Sequence, residues 1–317
     1  MTPRLALLGC GWVADMHARA AAECGHEVVG VANHRRETAV RFASEHGIGR
    51  VTTDWRALVS ADGVDVVIVC TPNALHAEQS IAALAAGKHV LCEKPIATTS
   101  ADGEAMLAAA ARHDRLLLVL HPWRHHPAVI AVRDAIVAGE LGRVVRTHGY
   151  GVHADWGPSG WFTDPALAGG GALVDMGIHA IDTARFLLGE PAVRRVAASI
   201  TTAHGDYAVD DDDVVLIEWE GGARSVVEAG WWQAHLGGHE ADTEVYGSAG
   251  YRRIWAREQP SGYVHCDVGL FVAQLRDALG QIAAWRPGTD SPPHGLAALR
   301  ICEQVYAAAH LPSARAG

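Results

Sequence analysis

Leu5-Ala6-Leu7-Leu8-Gly9-Cys10-Gly11-Trp12-Val13-Ala14 is the stretch on which the reading of this chain turns. Four apolar residues fit a short buried strand, and a GxGxxA pattern follows at once. The first glycine permits a tight turn out of the strand, and the second lets the backbone approach a pyrophosphate. A small residue at the third place lets the following helix pack close on the sheet. The start of that helix then points unsatisfied N–H groups at the phosphates. Gly9, Gly11, Trp12 and Val13 are therefore the expected dinucleotide contacts. A second strand, Glu27–Ala32, ends about 20 residues after the glycines, where such a fold reads the ribose. An Asp or Glu there accepts from the 2′-hydroxyl and repels a 2′-phosphate. This chain has Asn33 instead, followed by His34, Arg35 and Arg36. Loss of the carboxylate and a guanidinium able to grip phosphate favour NADP(H) over NAD(H). Read without a ligand, the two arginines simply open the next helix on its solvated face.

Short apolar runs continue at Val64–Val69, His89–Leu91 and Leu116–Leu120, separated by alanine-rich helical stretches such as His76–Ala86. Strands alternating with helices predict a parallel sheet buried on both faces, a Rossmann dinucleotide-binding domain over residues 1–120. The pattern changes after His121-Pro122-Trp123-Arg124-His125-His126-Pro127. Helices are expected at Ala128–Ala138, Ala172–Leu188, Leu270–Trp285 and His294–His310. Strands are expected at Val144–His153 and in series from Val193 to Ile254. Strands in series predict an α+β domain with an open, mainly antiparallel sheet over residues 121–317. A C-terminal helix is able to pack back on the first domain.

The composition sets outer limits. Of 317 residues, 49% are apolar and 20% charged, a globular balance with ample core. A net charge of −10 argues against a nucleic-acid or anionic-membrane partner. No apolar run reaches the ~18 residues of a membrane span, and the N-terminal apolar stretch is too short for a signal peptide. The expected location is cytoplasmic. Six cysteines show no metal-ligand spacing and read as reduced core thiols. Nineteen histidines lack an HExxH or comparable arrangement, so no metal is expected.

With these elements placed, further stretches carry a resemblance over nearly the whole chain. Thr71-Pro72-Asn73 with His76, Ala86-Gly87-Lys88-His89-Val90-Leu91-Cys92-Glu93-Lys94-Pro95 and Gly169-Gly170-Gly171-Ala172-Leu173-Val174-Asp175-Met176-Gly177-Ile178-His179 stand in order. Together they resemble the Gfo/Idh/MocA family, named for glucose–fructose oxidoreductase and inositol dehydrogenase. Val209-Asp210-Asp211-Asp212 and Gly295-Leu296-Ala297-Ala298-Leu299 match weaker late motifs, whereas Pro122-Trp123-Arg124-His125 departs from the family's junction pattern. The resemblance implies cofactor contacts from Thr71, Pro72, Asn73, His76, Glu93, Lys94 and Arg124. It also implies a homodimer or homotetramer paired through the outer face of the second sheet.

The residues themselves narrow the chemistry. Oxidation of a secondary alcohol needs an acid/base for the hydroxyl proton while hydride leaves carbon. Asp175 and His179 lie four apart on one expected helix and share a face, beside Val174, Ile178 and Ile181. Alone, they read equally as an exposed polar stripe. The resemblance makes His179 the proton donor or acceptor and Asp175 an orienting group. Lys94, at a strand end, is by itself an ordinary surface lysine; within Glu93-Lys94-Pro95 it resembles the family's catalytic lysine, which polarises the reacting oxygen. Trp123, His153, Trp161, Phe162, Trp156 and Tyr150 are candidates to contact a sugar-like ring or to pack in the core, and Asp210–Asp213 reads as a solvated turn. The expected activity is an NAD(P)-dependent oxidoreductase acting on a sugar, nucleotide sugar or cyclitol. Two rival functions stay open: a glycosidase using bound NAD for transient oxidation, and a non-catalytic dinucleotide sensor.

Overall fold

A computed structural model describes residues 2–154, 157–233, 240–254, 267–286, 288–289 and 291–309. The chain divides into two units. The first opens β1 (Leu5–Leu8), α1 (Trp12–Glu23), β2 (Val28–Ala32), α2 (Arg36–His46), β3 (Arg50–Thr52) and α3 (Trp55–Val59). It continues β4 (Val66–Val69), α4 (His76–Ala85), β5 (His89–Glu93), α5 (Ser100–His113) and β6 (Leu117–Leu120). The strands pair in the order β3-β2-β1-β4-β5-β6, all parallel. β1, β4, β5 and β6 are buried at every position, which is why each reads as an unbroken apolar run. Strand order reverses between β1 and β4, and such switch points hold ligands at the carboxyl ends of the strands.

The second unit begins with α6 (Pro127–Val137) and β7 (Val144–Val152), and runs through the short α7 (Pro165–Ala168). A π-helical turn at Leu173–Gly177 leads into α8 (Ile178–Leu187). β8 (Val193–Thr201), β9 (Asp212–Trp219), β10 (Arg224–Gly230), β11 (Ala241–Gly247) and β12 (Tyr251–Arg253) follow. The sheet order is β12-β11-β7-β10-β9-β8, antiparallel except for β7 against β10. Alternation sorts its faces. Val215, Ile217, Trp219, Val227 and Ala229 pack on Leu173, Ile178 and Ile181 and on Ala298, Ile301, Cys302 and Val305 of α10 (Pro292–Ala309). Val214 and Leu216, on the opposite face of β9, are exposed.

Sequence order alone puts the helix after residue 266 with the second domain; its packing puts it with the first. α9 (Val268–Ala283) lays Phe271, Leu275, Ala278, Leu279 and Ile282 against Ala14, Ala18 and Ala21 of α1 and the β1 core. The small residues on that face of α1 let the two helix axes come close. The first unit therefore comprises the chain through His125 together with α9 and the start of α10 through Leu296.

Candidate functional site

In the first unit the glycine turn does what its spacing predicts. Gly9 has φ +105°, and a Cβ there would overlap the Cys70 carbonyl at the end of β4, so only glycine fits. Gly11 differs: it has ordinary backbone angles, and a Cβ would meet nothing within 4 Å. No packing demand explains that glycine. It is the N-cap of α1 and makes no side-chain cap bond, so the helix start presents uncapped N–H groups beside open space. This arrangement fits the pyrophosphate of a dinucleotide. Trp12 is exposed and Val13 half-buried at the same end. Among the described residues, no group of three His, Cys, Asp or Glu is placed to hold a metal.

At the end of β2, the Asn33 Oδ1 accepts from the Arg35 backbone N–H at 3.3 Å. His34, Arg35 and Arg36 are exposed, and no carboxylate stands at the strand end. Beyond β4, Thr71 donates from its hydroxyl to Gln79 at 2.6 Å, Pro72 is half-buried, and Asn73 is buried in a single 3₁₀ turn. His76 is fully buried, with Nδ1 2.8 Å from the Pro95 carbonyl and Nε2 2.9 Å from the Thr71 carbonyl. Burial pushes its imidazole below the usual range, and carbonyls only accept, so the neutral ring donates to one of them at a time. Its ring faces two protein loops and ties them together. Glu93 is likewise turned inward: its Oε1 accepts from His17 Nε2 at 2.7 Å and its Oε2 from the Lys94 backbone N–H at 3.2 Å. Lys94 follows β5 at the carboxyl edge of the sheet, half-buried, with a cis bond to Pro95. Trp123 and Arg124 are buried, and an Arg124 Nη1–H donates to the Thr289 carbonyl at 3.3 Å.

In the second unit, Asp175 sits in the π-helical turn and His179 in the first turn of α8, which is buried along its length. Asp175 Oδ2 accepts from His153 Nε2 at 3.0 Å and from Trp231 Nε1 at 3.1 Å. His153, at the end of β7, also reaches Glu240 through Nδ1 at 3.3 Å. Carboxylates only accept, so both ring nitrogens donate. Burial pulls the His153 imidazole down, but the Asp175 and Glu240 bonds and charges outweigh it and push it up to about 9. His153 is thus a buried cation that orients Asp175. Trp231 and Glu240 carry no local sequence signal for this role; only the adjacency of β7 to β10 and β11 brings them in. Trp161 is half-buried and stacked on Phe162, ring centroids 3.9 Å apart, and Tyr150 is half-buried on β7. Trp156 and Cys266 lie outside the described residues.

The glycine signature that precedes Asp175 is held by residues whose sequence reading needs correction. Asp210, Asp211 and Asp213 form a buried cluster rather than a solvated turn. Asp210 accepts from the Gly171 and Leu173 N–H groups at 2.9 and 2.8 Å and from the Tyr306 hydroxyl at 2.7 Å, capping the turn that carries Asp175. A Cβ on Gly171 would overlap the Asp210 backbone. Asp211 accepts from the N–H groups of Ala203, His204 and Gly205 and from Tyr207, which hold its carboxyl low against the upward push of burial. Asp213, buried beside Asp210, is pushed up to about 10 and holds its proton.

The His153 assignment predicts a pH signature. Its folded value lies above its ordinary 6.5, so its stabilising contribution is complete below pH 6.5 and is lost as pH rises through about 9. The stability advantage of wild type over His153→Gln, from denaturant midpoints, falls by up to about 3 kcal/mol across that window. A difference that stays flat from acid to alkaline pH contradicts an imidazolium at this position.

Comparison with known proteins agrees with both halves of this geometry. Residues 4–121 match the family model described as "Oxidoreductase family, NAD-binding Rossmann fold", and residues 129–253 that of the "GFO/IDH/MocA C-terminal domain". The chain is 38% identical over 201 residues to the 1,5-anhydro-D-fructose reductase of Ensifer adhaerens, covering 62% of this chain and 60% of that protein's own length. It is 30% identical over 307 residues to the rhizopine catabolism protein MocA of Rhizobium meliloti, covering 95% and 93%. The solved structure of a levoglucosan dehydrogenase in complex with NADH and levoglucosan superposes with a TM-score of 0.86 at 27% identity, covering 98% of this chain and 97% of that one. The chain belongs to the Gfo/Idh/MocA family of oxidoreductases.

Proposed function

We propose that this chain is a nicotinamide-dependent oxidoreductase acting on a secondary alcohol or ketone of a sugar, nucleotide sugar or cyclitol. One observation carries the reading. An uncapped helix start with unexplained open space at Gly11 and the amine-bearing Lys94 lie at the carboxyl edge of one parallel sheet. The 2′-end of the dinucleotide goes to the β2 end at Asn33, and Gly11, Trp12 and Val13 take the pyrophosphate. A bound nicotinamide gives or takes the hydride. Lys94 hydrogen-bonds the reacting oxygen and stabilises its alkoxide character, His179 takes or returns the hydroxyl proton, and Asp175, fixed by His153 and Trp231, orients the substrate.

The test is a screen of keto-sugars and cyclitols with both cofactors, read at the reduced-nicotinamide absorbance band. A net absorbance change supports the reading, whereas turnover without one means a redox-neutral cycle such as a glycosidase. Lys94→Ala lowers kcat by orders of magnitude while nucleotide affinity holds, because its partner is absent from the binary complex. His179→Ala lowers kcat by about 10²–10⁴-fold and flattens its pH dependence. Near-normal kcat in Lys94→Ala sinks the assignment of this lysine.

Within the same reading, NADP(H) is preferred over NAD(H). The support is an uncharged Asn33 where a carboxylate would repel a 2′-phosphate, with Arg35 and Arg36 exposed and without ion-pair partners among the described residues. Asn33→Asp shifts the ratio of kcat/KM for the two cofactors toward NAD(H) by about 1.5 kcal/mol, roughly tenfold. A wild type that uses both equally, unmoved by Asn33→Asp or Arg35→Ala, contradicts this.

A further inference from the structure

Lys94 is the middle residue of Glu93-Lys94-Pro95, and a buried histidine holds the chain on either side of it. On one side stands His17, from the second turn of α1, 1% exposed. Its Nε2 lies 2.7 Å from Glu93 Oε1, while Nδ1 has no hydrogen-bond partner among the described residues. A carboxylate can only accept, so the proton sits on Nε2 and His17 is the donor. The other oxygen of Glu93 accepts from the Lys94 backbone N–H. The imidazole is fixed from behind by Phe271 of α9, edge-to-face with ring centroids 5.0 Å apart. On the far side of the lysine, the Pro95 carbonyl meets His76 Nδ1 at 2.8 Å. A line of contacts thus runs from α9 through α1 to the peptide of Lys94.

We propose that His17, acting through Glu93, is the positioning residue for Lys94, with His76 bracing the same segment through Pro95. The inference rests on the reading of Lys94 as catalytic. Its physical content is that a buried carboxylate is tolerated only while its hydrogen bonds are made. Without the His17 donor, Glu93 has a single backbone N–H left, and its release toward water takes the Lys94 peptide with it. Displacement of a catalytic group by about 1 Å is enough to cost ~10²-fold in rate. The same contacts give α9 a role beyond covering the first core: its phenyl ring sets the angle of the imidazole that sets the lysine.

The composition of this chain supplies an unusually clean test. Of its 26 lysines and arginines only two are lysines, Lys88 and Lys94. Lys88 donates to the Ala61 carbonyl at 3.1 Å, away from the His17 contacts, and serves as an internal control. Reductive methylation of the full-length protein with 13C-formaldehyde gives one methyl signal for each lysine and one for the N-terminal amine, assigned with Lys88→Arg and Lys94→Arg. In His17→Leu the Lys94 signal moves toward the position of free dimethyl-lysine while the Lys88 signal stays. His17→Gln, which keeps an amide donor within reach of Glu93, returns the Lys94 signal toward its wild-type position. Glu93→Gln, which keeps shape but has one oxygen for two donors, moves it in the same direction as His17→Leu and decides the matter should that variant fold poorly. NADPH affinity, read by fluorescence titration, stays within about twofold of wild type in His17→Leu and His17→Gln. A Lys94 signal unmoved in His17→Leu and Glu93→Gln overturns the proposal, as does movement of both lysine signals together. Neither result bears on whether Lys94 is catalytic, which Lys94→Ala decides separately by its kcat.

Discussion

The backbone contact between Gly9 and the end of β4 is the constraint from which the first unit follows. Because no side chain separates them, the turn out of β1 lies directly on the Cys70 carbonyl, at the place where strand order reverses. That fixes where α1 starts and which way it runs. Its first turn opens toward free space at Gly11, its small face receives α9, and its second turn delivers His17 to Glu93. One close approach thus sets both the dinucleotide end of the unit and, two strands away, the backbone of Lys94.

The second unit solves a similar problem with charge. The helix that carries His179 begins in a π-helical turn, a geometry that frequently marks functional sites. Such a turn leaves backbone N–H groups to be satisfied, and Asp210 satisfies two of them. The carboxylate stays buried because Tyr306 also donates to it and because neighbouring Asp213 keeps its proton, which avoids two like charges side by side. On the opposite side of the turn, His153 and Trp231 hold Asp175. Asp175 and the turn that carries it are therefore fixed by groups far from them in sequence.

How much of this was legible depends on whether the cause was local. The glycine fingerprint, the alternation of strands and helices, and the switch to strands in series are local patterns, and they give both folds. Lys94, Asp175 and His179 also stand in recognisable runs, which mark them as candidates for the site. Acidic clusters in a turn are ordinarily solvated, and the burial of Asp210 rests on partners 37 to 96 residues away. His17 stands on an alanine-rich helix without a local cue, since Glu93 lies 76 residues further on. α9 was assigned by chain order for want of any sequence cue to its return. In a chain with 26 lysines and arginines but only two lysines, a lysine at a strand end stands out.

Gly9 and Gly11 are glycines for different reasons, one for the fold and the other for a ligand. The direct measurement is the thermal midpoint and NADPH affinity of Gly11→Val. Its Cβ meets nothing within 4 Å among the described residues, so the midpoint should fall by no more than corresponds to the ~1 kcal/mol that a valine costs at a helix N-cap. The same side chain should occupy the pyrophosphate's place and weaken NADPH binding at least about a hundredfold, about 2.7 kcal/mol. A Gly11→Val protein that melts normally and binds NADPH as tightly as wild type would contradict the account, because the open start of α1 would then hold no dinucleotide.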